Sequence, residues 1–252
     1  MTCGDLFAGI GGMSLGLERA GFTVCWQVER EPFCENVLAR HWPAVPRRRD
    51  IRFAGRGTLE PVDVIAGGFP CQDISVAGKG VGITGWQSGL WREFARIVRE
   101  LNPRWVLIEN VPALRRRGAD TVLGDLEAAG YACWPLMVGA RHVGAPHRRD
   151  RVWVVGRVAD TSGDRVREQS RRRVGAGRPS ARFPAAPGQP QHGWEEPRTV
   201  ESPLGRAAHG VSARLARARW RAELKALGNA VVPQVVEVIG RAILAVEAAR
   251  DG

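Results

Sequence analysis

Lysine is almost missing from this 252-residue chain: Lys79 and Lys225 are the only two among 37 basic residues. The net charge of +11 therefore rests on arginine. Such a balance favours a polyanionic partner, nucleic acid first, while saying nothing about fold. Arginine excess also follows from genomic base composition, so charge alone does not settle the partner. Cysteine is scarce as well, with five residues, an odd number, and no CxxC pair. That argues against a disulfide framework and a structural zinc site, and fits a reducing, cytoplasmic setting with no metal. No charged leader followed by an apolar core opens the chain, and no apolar run approaches the roughly 20 residues of a membrane span. Near the C-terminus, VVPQVVEVIGRAILAVEAAR is interrupted by Gln234, Glu237, Arg241 and Glu247; it reads as a one-sided packed helix, and no membrane partner is expected.

What is present is an alternation. TCGDLFA, FTVCWQVE, VDVIAGGF, RWVLIENV and RVWVVGRV are apolar runs with the look of buried strands. Between them, GMSLGLERAG, PFCENVLARHW, SGLWREFARIVRELN and ADTVLGDLEAAG carry helical spacing. The alternation predicts an α/β fold, a Rossmann-like and mostly parallel sheet with helices on both faces. From about residue 159 to 214 the pattern gives way to Arg, Gly, Pro and Ser, which can bury little surface. Regular spacing resumes with SARLARARWRAELKAL, and a helix is predicted from about Pro233. The expected organisation is a catalytic domain over 1–156 and 224–252, with a small irregular region over 157–223.

DLFAGIGGMSLGLERAGF places Gly9, Gly11 and Gly12 between a short strand and a helix, where glycine permits unusual backbone angles and close approach of a ligand. Glu29 follows Gly9 by 20 residues, at the end of the next apolar run. In nucleotide-binding folds a carboxylate there holds a ribose diol, which points to an adenosine-containing cofactor. The glycines do not form GxGxxG, and no GxxxxGK[ST] loop occurs, so the pattern leans away from dinucleotides and ATP. A plainer alternative is a tight turn beside a solvated glutamate. Asp50 sits at another apparent strand edge, placed to face the cofactor's base, whereas Asp63 reads as structural.

Cys71, in GGFPCQDIS, follows an apolar run and so should lie at the carboxyl end of a strand, where open α/β sheets build sites. A thiolate attacks electron-poor ring carbons well, and nearby basic groups would lower its pKa. The alternative, an inert buried thiol, fits Cys25, Cys34 and Cys133 better, since they lie inside periodic apolar segments. RWVLIENV ends in Glu109 and Asn110, and a glutamate beside a cleft can donate or share a proton with a substrate heteroatom. In APHRRDRVWVVG, strand alternation would put Arg149 and Arg151 on one face, with Arg148 and Asp150 on the other.

Together these residues resemble the DNA cytosine-5 methyltransferase family, in compact bacterial or phage form. DLFAGIGG, GGFPCQDIS, ENV, HRRDR and LGNAVVP match its motifs in order. The resemblance covers residues 2–156 and 224 to about 247. It implies S-adenosylmethionine as methyl donor, with no metal, and double-stranded DNA as substrate. By resemblance, Cys71 is the nucleophile that adds to cytosine C6, and Glu109 contacts N3 and the exocyclic amino group. Arg149 and Arg151 would hold the base and the closed loop. Phe7, Gly9, Gly11 and Glu29 match cofactor-side positions, Asp50 and Ile51 would lie near adenine, and Asn229 would support the cofactor region. The cytosine has to be flipped from the duplex, and Ser75 to Gly89 would be the loop that closes over it, with Lys79 available to phosphate.

The chain departs from the family at two places. His147 and Asp150 stand where glutamine and glutamate are common. Residues 157–223 give no convincing match to the motif near the end of the family's recognition region. Phosphate contacts from the arginine-rich 165–182 segment would carry no sequence code, while His192 and Trp194 are candidates for a small recognition surface. Enzymes that methylate adenine N6 or cytosine N4 need no cysteine and usually carry an [DNS]PP[YFW] tetrad, which is missing here. RNA cytosine-5 methylation and a DNA-binding regulatory module remain as alternatives. A monomer is expected, with a cognate restriction endonuclease acting separately where the protein serves restriction–modification.

Overall fold

The computed structural model describes residues 1–70, 89–159 and 213–250. Cys71, Ser75, Lys79, the 165–182 segment, His192 and Trp194 lie outside them. The apolar runs become strands β1 (Thr2–Leu6), β2 (Thr23–Val28), β4 (Val64–Gly67), β5 (Trp105–Asn110) and β7 (Asp150–Val158), joined by the two-residue β3 (Arg47–Arg48) and by β6 (Tyr131–Gly139). One sheet holds all seven, in the order β3-β2-β1-β4-β5-β7-β6. The first five strands are parallel and follow the doubly wound order. β7 inserts antiparallel between β5 and β6, so the mostly parallel expectation holds with one reversed strand, β7, next to the edge.

Strand alternation divides the core into two layers. Ile65, Val106, Ile108, Val152 and Val154 face the layer covered by α3 (Leu90–Leu101) and α5 (Ala119–Ala128). Within α3, Trp91, Phe94, Ile97 and Val98 are all buried, each worth roughly 1.5–3 kcal/mol of transfer from water. Val64, Ala66, Trp105, Leu107, Trp153 and Val155 face the opposite layer, made by α1 (Gly12–Ala20) and α7 (Pro233–Ala248). Pro233 opens α7, as its fixed φ and missing N–H favour. By length and composition Trp220–Ala248 could cross a membrane. Instead the chain breaks between α6 (Ala213–Asn229) and α7, and α7 buries Val235, Val236, Ile239 and Ile243 in the core. α6 runs through residue 224, where the expected boundary of the irregular region falls.

α1 and α7 approach closely because small residues line their contact. A Cβ on Gly16 would lie 2.4 Å from Val236 Cβ, and one on Gly12 would lie 2.6 Å from Val231 O. The turn before α7 is thereby pressed onto the glycine-rich turn before α1. Two ends of the sequence meet over one sheet edge.

Candidate active site

Each parallel strand ends at the same edge, and each delivers a piece of the site there. After β1, Phe7, Gly9 and Gly11 all have positive φ, at 58°, 56° and 86°. At Gly9 a Cβ would meet nothing within 4 Å, so the turn faces open space. Gly11 has no such room, since its Cβ would stand 2.3 Å from the Trp42 ring. After β2, Glu29 reaches back: its Oε2 accepts from Gly9 N at 2.7 Å and its Oε1 from Glu31 N at 2.7 Å. The 20-residue spacing is therefore realised as a direct bond, and the carboxylate is fixed while keeping lone pairs for another donor. This cradle, open above glycine and edged by an oriented carboxylate, fits the adenosine and methionine parts of S-adenosylmethionine.

Asp50 and Ile51 follow β3. Asp50 is clasped by Arg52, whose Nε and Nη2 both donate to it, and the carboxyl falls to about 2, mainly through that hydrogen bonding. Ile51 is buried in the core. Asp63 accepts from Thr2 N and Thr2 Oγ1, a structural tie.

The next strands supply the reactive half. Beyond β4, a Cβ on Gly68 would be 2.8 Å from Glu109 Oε2, so the backbone leading into Cys71 passes directly over that carboxylate. Asn110 Nδ2 donates to Phe69 O at 3.1 Å, pinning the chain two residues before Cys71. Glu109, at the end of β5, pairs with Arg151, with Nε 2.8 Å from Oε1 and side chains only 12% and 21% exposed for glutamate and arginine respectively. Burial, the largest effect, lifts the Glu109 carboxyl to about 7 against the pull of Arg151 and Arg149. A carboxyl poised there can hold a proton near neutral pH and give it to a heteroatom.

Arg149 corrects the sequence reading. It has φ 35° and precedes β7, so strand alternation does not pair it with Arg151. Its Nη2 instead donates to Gly228 O at 2.8 Å and Ala230 O at 2.5 Å. Burial and the nearby Arg151 lower its pKa, while Glu109 opposes them. Arg149 thus clamps the two carbonyls flanking Asn229, which lies exposed at the end of α6.

Sequence reasoning passed over a buried polar group beneath the glycine turn. Asp5 Oδ2 accepts from Ser14 N at 3.1 Å and Ser14 Oγ at 2.7 Å, and Gln27 Nε2 donates to Ser14 Oγ at 2.9 Å. Helix α1 has Gly11 at its N-cap and no side-chain cap of its own; Asp5, from the strand, satisfies an amide of its first turn instead. An acid inside an otherwise apolar strand was the available signal. Burial leads the causes that raise Cys3 and Cys25, and lifts Cys34 to about 12 and Cys133 to about 11, which disfavours the reactive thiolate at each.

A family model described as C-5 cytosine-specific DNA methylase matches residues 1–178. The Type II methyltransferase M2.BsuMI of Bacillus subtilis is 35% identical over 173 residues, 66% of this chain and 44% of that protein. M.NgoBI of Neisseria gonorrhoeae is 31% identical over 156 residues, 60% of this chain and 49% of that one. The chain thus spans less than half the length of these relatives. A prophage-encoded Escherichia coli protein described as a DNA modification methyltransferase aligns with a TM-score of 0.51 at 30% identity, over 63% of this chain and 47% of that one. The methyltransferase EhMeth of Entamoeba histolytica, 16% identical over 65% of this chain and 55% of its own, shares the fold at a TM-score of 0.54.

Proposed function

Since the chain belongs to the C-5 cytosine-specific DNA methylase family, we propose that it methylates C5 of a flipped cytosine in double-stranded DNA through a covalent Cys71 adduct. One observation carries this reading. The Gly9–Glu29 cradle and the Glu109–Arg151 pair share one sheet edge, with the backbone leading into Cys71 held between them by Gly68 and Asn110.

Cytosine C5 has little carbanion character. Addition of the Cys71 thiolate to C6 pushes electrons to C5, and a proton on Glu109, given to N3, draws the ring toward the enamine. Arg151 holds the Glu109 carboxyl in place. When bound over Phe7, Gly9, Gly11 and Glu29, S-adenosylmethionine supplies an electrophilic methyl group to C5, with the thioether as leaving group. Loss of the C5 proton to a base then expels the Cys71 thiolate and restores the aromatic ring. Arg149 ties the Asn229 turn to this edge, and that turn presses on the glycine-rich turn at Gly12. The base has to leave the helix for C6 to be reached, and the closing loop would carry Ser75 and Lys79. The arginine-rich charge favours DNA phosphates, and a restriction endonuclease acting separately would share the site in a restriction–modification pair.

The test is incubation with methyl-labelled S-adenosylmethionine and mixed duplex DNA, with folded RNA in parallel. Label at cytosine C5 of DNA, absent with Cys71→Ala, is expected. Label on RNA alone, or none above the Cys71→Ala background, would overturn the proposal.

A further inference from the structure

Beneath the glycine-rich turn, Asp5, Ser14 and Gln27 are all buried. Asp5 and Gln27 are register partners on the parallel strands β1 and β2, so their side chains stand side by side on one face, about 5 Å apart at Cβ. The Ser14 hydroxyl gives its one proton to Asp5 Oδ2 and accepts from Gln27 Nε2. Two oxygens are left over, Asp5 Oδ1 and Gln27 Oε1, each buried with no hydrogen-bond partner among the described residues. An ionised Asp5 would leave both of these buried acceptors without a donor, a costly arrangement. A single proton resolves it.

We propose that Asp5 is held as a neutral carboxylic acid whose Oδ1 hydroxyl donates to Gln27 Oε1, making it a positioning residue for the cofactor-binding turn. The bonds from Ser14 N and Oγ to Asp5 close a loop of chain from residue 5 to residue 14, with the glycine turn as its span. Ionising Asp5 would oppose Gln27 across the strands and loosen that closure. The surroundings favour the neutral form. Glu29, at the end of β2, adds negative potential, and burial does more, together lifting the carboxyl to about 7 against the two Ser14 bonds. Cys3 on β1 is a buried thiol whose pKa is raised. Glu18, one turn along α1, is itself bonded by Trp42 Nε1. On the other side, the register partner of Asp5 on β4 is the uncharged Ala66, and the α7 residues of the adjoining apolar layer, Val235 and Val236, carry no charge.

The inference rests on the reading of this turn as the S-adenosylmethionine site, and its experiment separates the two. Binding of S-adenosylmethionine is measured by calorimetry from pH 5.5 to 8.5 for the full chain, for Asp5→Asn and for Asp5→Ala, with thermal melts over the same range. In Asp5→Asn the amide N–H₂ replaces the acid's hydroxyl as donor to Gln27, while its oxygen still accepts from Ser14. The native chain should lose about thirty-fold in affinity across the range, as expected for a binding-competent acid ionising near pH 7. Asp5→Asn should bind as the native chain does at pH 5.5 and stay flat with pH, while Asp5→Ala binds weakly throughout. Every other titratable group, Glu109 included, is common to all three proteins, so the difference between their curves reports Asp5. Asp5→Asn binding as poorly as Asp5→Ala, or keeping the native pH dependence, would overturn the proposal. If the native chain binds no S-adenosylmethionine at any pH, the cofactor reading fails instead. The melts then decide Asp5 alone: a native stability that falls more between pH 5.5 and 8.5 than that of Asp5→Asn, which keeps the Glu109 contribution, supports the neutral acid, and parallel curves refute it.

Discussion

Replacing Arg151 with glutamine should raise the proton affinity of Glu109, and the structure sets how far. With Arg151 Nε 2.8 Å away, the Glu109 carboxyl already sits at about 7. That is well above an ordinary glutamate, on the order of 3 kcal/mol against the charged form. Burial is the chief cause and Arg151 the chief opposing influence. A unit charge about 4 Å away at an effective dielectric near 20 is worth about 4 kcal/mol. Arg149 remains and water enters the space of the shorter side chain, so a rise of about one to three pH units is expected. At pH 7.5 roughly a quarter of native molecules would carry the proton, against most molecules of the variant. Because the folded-state value lies above the unfolded one, the native fold loses stability as pH rises from the unfolded glutamate value toward 7, and Arg151→Gln extends that loss to higher pH. Carbon-13 NMR of glutamate-labelled protein reads the titration, with Glu109→Gln identifying the resonance. A native midpoint near the ordinary glutamate value, or a midpoint that falls in Arg151→Gln, would refute the reasoning.

Two other substitutions probe the rest of the edge. Gly9→Ala should cost about 1 kcal/mol of stability, because φ 56° suits glycine. S-adenosylmethionine affinity should fall by more than tenfold, since the new methyl enters the open space above the turn; thermal melts and calorimetry separate the two effects. Arg149→Ala removes both bonds to Gly228 O and Ala230 O, so amide hydrogen exchange should rise across residues 228–232 while the central strands stay protected.

The sheet was largely legible because buried parallel strands are short apolar runs bounded by Gly and Pro, and β1, β2, β4 and β5 fall on such runs. β6 was not read as a strand. It is an edge strand with Trp134, Leu136 and Met137 exposed, and Pro135 in the middle of its apolar run argues against a strand. The direction of β7 was equally hidden, since an apolar run does not encode which way its strand points. At the site, the Gly9–Glu29 spacing places the two side by side because a strand–helix–strand unit fixes that separation, while the direct Gly9 N to Glu29 bond had no signal in the sequence. The reach of Arg149 to Gly228 and Ala230, residues about 80 positions away, had no local signature. Its positive φ, which takes it out of the alternation, had none either.

The central claim is that Cys71 attacks the cytosine that becomes methylated, and covalent trapping tests it most directly. Duplex DNA of mixed sequence, with 5-fluorocytosine in place of cytosine, is incubated with the protein and S-adenosylmethionine. Fluorine cannot leave as a proton does, so the adduct cannot collapse after methyl transfer. The prediction is a denaturation-stable protein–DNA species with the attachment mapped to Cys71, absent in Cys71→Ala. Methylation of ordinary DNA at C5 with no trapped species, or trapping that persists in Cys71→Ala, would contradict it.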